Sequence, residues 1–116
     1  MNELIEKDIE MTKYVFDIDG TLCTDTKGNY TEALPLEDRI AMVNKLFEDG
    51  HQITLYTARG MGSSGNFSDA AKSKWESLTL KQLEIWGVKF HNIFFGKPAG
   101  DVYVDDKGIT DIHFFE

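Results

Sequence analysis

The chain has 116 residues, 41% hydrophobic and 28% charged, with a formal net charge of -8. That describes one globular domain, large enough for a core but too short for a catalytic domain plus a substantial second one, and the acidic balance argues against nucleic acid as the main partner. No apolar run is long enough to span a membrane, no charged-then-apolar start resembles a secretion signal, and the single cysteine, Cys23, excludes an internal disulfide and suits a reducing cytoplasm.

Residues 1–12 read as an N-terminal extension whose Leu4, Ile5 and Ile9 make a weak amphipathic pattern, too short for a stable helix alone. Tyr14-Val15-Phe16-Asp17-Ile18-Asp19-Gly20-Thr21 follows. Its apolar run predicts a strand buried on both faces. Asp17 and Asp19, two residues apart, project to one side of such a strand, and Gly20 lets the chain turn tightly. An unpaired aspartate is too costly inside a dry sheet, so both acids belong at the strand's carboxyl end, where open α/β sheets bind ligands.

Residues 22–34 are polar and turn-rich and read as a short flap. Pro35 suits the first turn of a helix in which Ile40, Val43, Leu46 and Phe47 recur at helical spacing up to Asp49-Gly50. Residues 52–56 form a second strand, followed by Thr57-Ala58-Arg59-Gly60. A glycine- and serine-rich loop then leads into a helix over residues 68–86, with Ser68 and Asp69 as caps and Gly87 as the stop. Residues 92–95 are a third strand ending at Gly96-Lys97-Pro98. Residues 102–104 are a fourth, ending at Asp105-Asp106, and residues 109–115 an edge strand. The succession predicts an α/β domain, a Rossmann-like parallel sheet with helices on both faces.

In a parallel sheet the strand ends share one rim. Asp17, Asp19, Thr57, Lys97, Asp105 and Asp106 all follow the last apolar residue of a predicted strand. Carboxylates crowded there repel one another, and a divalent cation relieves them; hard oxygen ligands in a partly hydrated site favour Mg²⁺. Neighbouring strand residues point to opposite faces, so of Asp105 and Asp106 one is expected to act through water. Lys97 and Thr57 make sense if a dianionic phosphate also enters, with N–H groups near Gly20 and Ala58 as further donors.

In this order Asp17-Ile18-Asp19-Gly20-Thr21, Thr57, Lys97 and Asp105-Asp106 resemble the four motifs of the haloacid dehalogenase superfamily, specifically its Mg²⁺-dependent phosphatases, over roughly residues 13–110. The resemblance implies that Asp17 is the nucleophile forming an aspartyl-phosphate and that Asp19 protonates the leaving oxygen and then activates water. It also implies that Mg²⁺ is held by Asp17, the backbone carbonyl of Asp19 and Asp105, with Asp106 completing or orienting that shell. Neither residues 22–34 nor residues 87–91 can form a cap domain, so an open site is expected, one that a neighbouring subunit can cover, as capless members often arrange. Thr-Ala-Arg and Val-Asp-Asp-Lys are similar to phosphatases of bacterial surface-sugar biosynthesis, which implies a sugar phosphate or another exposed phosphate as substrate. Arg59 and residues 60–67 are candidate substrate contacts; equally, Arg59 simply pairs with an acid.

Two other classes compete. A phosphoaccepting receiver domain combines the same residue types, but it places the acidic pair after its first strand, whereas here the pair comes late. A catalytically silent binding module needs none of these groups, all of which are present. Cys23, His51, His91 and His113 read as packing or surface residues, and Trp75 and Trp86 as core or interface.

Overall fold

The computed structural model describes residues 10–116, so most of the extension read from the sequence lies outside the described residues. Strand β1 spans Lys13–Asp17, helix α1 Glu37–Glu48, β2 Gln52–Thr57, helix α2 Ser68–Ile85, β3 Asn92–Phe95 and a short helix α3 Asp111–Phe115. The three strands are parallel in the order β1-β2-β3, with Phe16 beside Leu55 and Tyr56 beside Phe94. This is a Rossmann-like α/β fold, a parallel sheet flanked by helices.

Alternation along the strands decides where the core sits. Phe16, Ile53 and Leu55 share one face of the sheet and are buried against Ile40 and Val43 of α1, Leu83 of α2 and Val88. Each fully buried aliphatic side chain there contributes about 1.5–3 kcal/mol relative to an exposed one. Ile18 and Leu22, both 0% exposed, close the core under the turn after β1. The opposite face is more open. Val15 and Phe94 lie on it and are 64% and 58% exposed, so β1 is not sealed on both sides as its apolar run suggested.

The flap at residues 22–34 is stitched shut by its own backbone. Thr24 N–H donates to Leu34 and Leu36 N–H to Leu22, at 2.9 Å each, which keeps the chain extended past Pro35 and starts α1 at Glu37. Glu37 and Asp38 occupy its first turn and Lys45 its last, complementing the helix dipole. α2 begins at Ser68 with Phe67 in the cap position and no side-chain cap, so Ser68 and Asp69 do not cap it. His51 and His91 each accept a backbone N–H through Nδ1, from Thr12 and Ile53, which makes them packing residues as read.

The C-terminal strands predicted from the sequence are absent. Residues 102–104 are irregular and exposed, and residues 111–115 are helical. A parallel strand needs a crossover of a dozen or more residues, whereas six separate Phe95 from Val102. Further on, Thr110 caps α3 by accepting the His113 N–H at 3.3 Å, and Arg39 grips Asp111 at 2.8 Å. Phe114 and Phe115 then fold over Tyr14 and Phe16, with ring centroids 5.5–6.0 Å apart. Aromatic residues that suit a strand are used here to cover one.

Candidate functional site

The end of β1 places Asp17 at the mouth of a cleft of about 610 Å³, whose walls also include Asp19, Ala58, Arg59 and Lys97. Lys97 arrives from beyond β3. Its N–H and that of Gly96 both donate to the Thr57 carbonyl, at 3.1 and 3.2 Å, and Gly96 makes the turn at φ 102°. That places the Lys97 ammonium 3.5 Å from the Asp17 carboxylate and 4.3 Å from the ring of Tyr103. Desolvation dominates at Asp17 and raises its carboxyl above the ordinary 3.8; Lys97 and the Ile18 N–H oppose this in part, and the Asp19 charge adds to it.

Asp19 is held by Arg59. The guanidinium donates Nε to one Asp19 oxygen at 2.9 Å and Nη2 to the other at 3.0 Å, while Nη1 donates to Thr79 and Gln82 of α2. Tyr30 covers the guanidinium at 4.9 Å, accepts the Gly60 N–H at 3.0 Å through its hydroxyl oxygen, and accepts a Gln82 side-chain N–H through its carbonyl. Arg59 is 1% exposed, and a charge buried that deeply is sustained only when every donor is used. Of the two readings of Arg59, pairing with an acid is the one the geometry displays.

Thr57 is fully buried, does not line the cleft, and accepts the Arg59 N–H at 3.0 Å through its hydroxyl. It therefore positions both cations, Lys97 through its carbonyl and Arg59 through its hydroxyl. Gly20 turns at φ 84° as its place after Asp19 requires, but its N–H is committed to the Cys23 carbonyl at 2.8 Å and is not available to a ligand. Ala58 lines the cleft, and its N–H has no acceptor among the described residues. Burial pushes the Cys23 thiol up to about 12, with the Asp19 charge adding to the rise, so it is a packing residue as read.

Asp105 and Asp106 are exposed and do not line the cleft. The Lys107 N–H, and after it a hydrogen bond with Asp106, hold the Asp105 carboxyl below its ordinary value. Among the described residues no three His, Cys, Asp or Glu side chains are grouped to hold a metal ion. The expected gathering of Asp17, Asp19, Asp105 and Asp106 is thus corrected: one chain brings the first two together and leaves the last two outside. The cause is the same short connection after β3 that denies residues 102–104 a place in the sheet. The donor set for Mg²⁺ does not fit within a single chain.

Sequence reasoning passed over Tyr30 and Tyr103 and read Trp75 as core or interface; all three add an aromatic rim to the cleft. Tyr30 and Trp75 meet edge to face at 4.7 Å, and the indole Nε1 is buried without a partner. Their spacing in the sequence carries no signal, because the flap, α2 and the loop after β3 meet only in the fold. Among the described residues no helix is long and apolar enough to cross a membrane.

No protein-family model matches the sequence, and no curated protein matches it. The fold is similar to the crystal structure of an MCSG target protein from Vibrio cholerae, with a TM-score of 0.82 and 26% sequence identity over 90% of this chain and 88% of that one.

Proposed function

We propose that the protein is a phosphomonoester hydrolase of the haloacid dehalogenase type, working in the cytoplasm through an aspartyl-phosphate. The observation that carries this reading is the Asp17–Lys97 pair: a carboxylate at the end of β1 meets an ammonium delivered from β3, at 3.5 Å, in one open cleft that also holds Asp19. A purely structural ion pair has no need of that cleft.

In the proposed reaction an Asp17 oxygen attacks phosphorus, the P–O bond to the alcohol breaks, and the acyl phosphate forms. Lys97 balances charge on the phosphoryl oxygens, and the Ala58 N–H is a donor available to them. In its protonated form, with one oxygen released from Arg59, Asp19 gives its proton to the leaving oxygen, and as the carboxylate so formed it takes a proton from the water that cleaves the acyl phosphate. Acid–base assistance of this kind is worth roughly 10² to 10⁴ in rate. The aromatic rim of Tyr30, Trp75 and Tyr103, with Lys27 and Lys74 beside it, suits the ring and polar edge of a sugar phosphate.

Phosphate release from an aryl phosphate over many turnovers tests the reading. Asp17→Asn is expected to lower the rate by on the order of 10⁴-fold or more, the scale seen when a nucleophile is removed. A rate unchanged by that substitution, or a single stoichiometric phosphorylation without turnover, would remove the hydrolase assignment.

A further inference from the structure

We propose that the chain exchanges its C-terminal segment with a second copy, residues 102–106 of one protomer adding as a parallel strand to the outer edge of β1 in the other. Among the described residues β1 pairs with β2 alone, so its other edge presents unpaired backbone groups. Residues 102–104 are the complementary half of that vacancy: β-branched and aromatic, with Val102, Tyr103 and Val104 exposed by 78%, 52% and 95%.

One register matches residues 101–105 to β1, position by position. Setting Asp105 beside Asp17 sets Val102 and Val104 beside Tyr14 and Phe16, on the face that Phe114 and Phe115 cover, and Tyr103 beside the exposed Val15. Asp101 then stands beside Lys13, and neither has an ion-pair partner among the described residues. These positions match, and the exchange replaces the contacts that Tyr103 makes with Pro98, Gly100 and Lys97 of its own chain.

The chain's own segment is poorly placed to fill this edge. It would have to cross three strand spacings, roughly 14 Å, and return the length of a strand within six residues, about half the usual crossover. A second copy has no such constraint. α3 can follow, because its contacts with Arg39, Tyr14 and Phe16 are the same whichever chain supplies it, and exchange of an identical element is a low-cost route to a dimer. The exchange also delivers Asp105 and Asp106 to Asp17, assembling between two chains the acids that one chain leaves apart. That last step rests on the phosphatase reading; the strand exchange does not.

Two measurements decide it. The double variant Val15→Cys, Tyr103→Cys, mildly oxidised, is expected to run as a covalent dimer without reductant, since neighbouring strands bring Cα atoms within disulfide range. An oxidised monomer, meaning the segment docks on its own β1, or no disulfide at all overturns the exchange. Separately, Asp17→Asn and Asp105→Asn chains, each inactive alone on an aryl phosphate, are co-expressed at equal levels. Random exchange leaves about a quarter of the sites with both acids, so about a quarter of wild-type turnover is expected. Cross-linking without that recovery keeps the exchange and removes Asp105 from the site. A wild-type protein that turns over no ester removes the phosphatase reading, and the cross-link alone then decides the exchange.

Discussion

Burial at Asp17 raises its carboxyl above 3.8, and this has a definite sign for stability. As pH climbs past 3.8 the unfolded chain releases this proton before the folded one does, so stability falls with rising pH from that point up to the folded value. Above it the ionised Asp17 remains a standing cost to the fold. Asp17→Asn removes the charge. Its urea midpoint is therefore expected to exceed that of the wild type at pH 7, with the difference closing below pH 3.8. The same shift puts the acid limb of kcat/KM above the ordinary carboxylate range. Arg59 has the opposite character. Taking it away leaves Asp19, Thr79 and Gln82 without their donor, and breaking a buried pair by removing one partner costs about 3–5 kcal/mol. Arg59→Met should show that loss in urea unfolding, and Arg59→Lys should recover little of it, because an ammonium cannot serve three acceptor residues from one planar fork.

At the scale of elements, α2 is held against the turn after β2 by a close approach at Gly60. There φ is 78°, and an added Cβ would stand 2.5 Å from Trp75 Cδ1 and 3.1 Å from the Ala71 backbone. Gly50, at φ 98°, has open space around it. Both positions carry the left-handed penalty of about 1–2 kcal/mol for a side chain, but only Gly60 adds a clash with the Trp75 ring and a tight contact with the Ala71 backbone. Gly60→Ala is thus expected to lower the urea-unfolding free energy by more than Gly50→Ala does, and equal losses would show that Trp75 simply moves aside. The first three strands and both long helices were legible because the strands are short apolar runs bounded by turn and polar residues, and Ile40 and Val43 recur at helical spacing. So were Asp17 and Lys97, which follow apolar runs to one rim. The C-terminal strands were misread because Val102 to Val104 and Ile109 to Phe115 have strand composition, while what decides their structure is the length of the connection before them and the Thr110 cap. No local pattern records either. Arg59 was legible only as two alternatives, since its partners Asp19, Thr79 and Gln82 are 20 to 40 residues away.

At the scale of the whole molecule, the described residues form a sheet of three strands with an open edge on β1 and an exposed apolar segment beyond β3, a half-finished surface, and long unpaired edges invite pairing with another chain. Strand exchange would finish it and make the assembly state depend on charge as well as on backbone. In the proposed register Lys13 of one copy faces Asp101 of the other, both at the exposed start of the added strand. Reversing one, in Lys13→Glu, sets two acids side by side and is expected to weaken the dimer in sedimentation at low salt; the effect should shrink as salt rises, because exposed charges are screened beyond about 10 Å at 0.1 M. A surface pair is worth at most about 1 kcal/mol, so the shift in dimer dissociation should be several-fold rather than complete. Asp101→Lys alone is expected to weaken it similarly, and the double reversal Lys13→Glu, Asp101→Lys to restore it. That recovery is the part a general change in surface charge does not produce: each single variant alters net charge, but only the pair restores opposite signs at adjacent positions. If the double variant dissociates like the sum of the two singles, residues 101 and 13 are not neighbours, and the register that brings Asp105 beside Asp17 is lost with them.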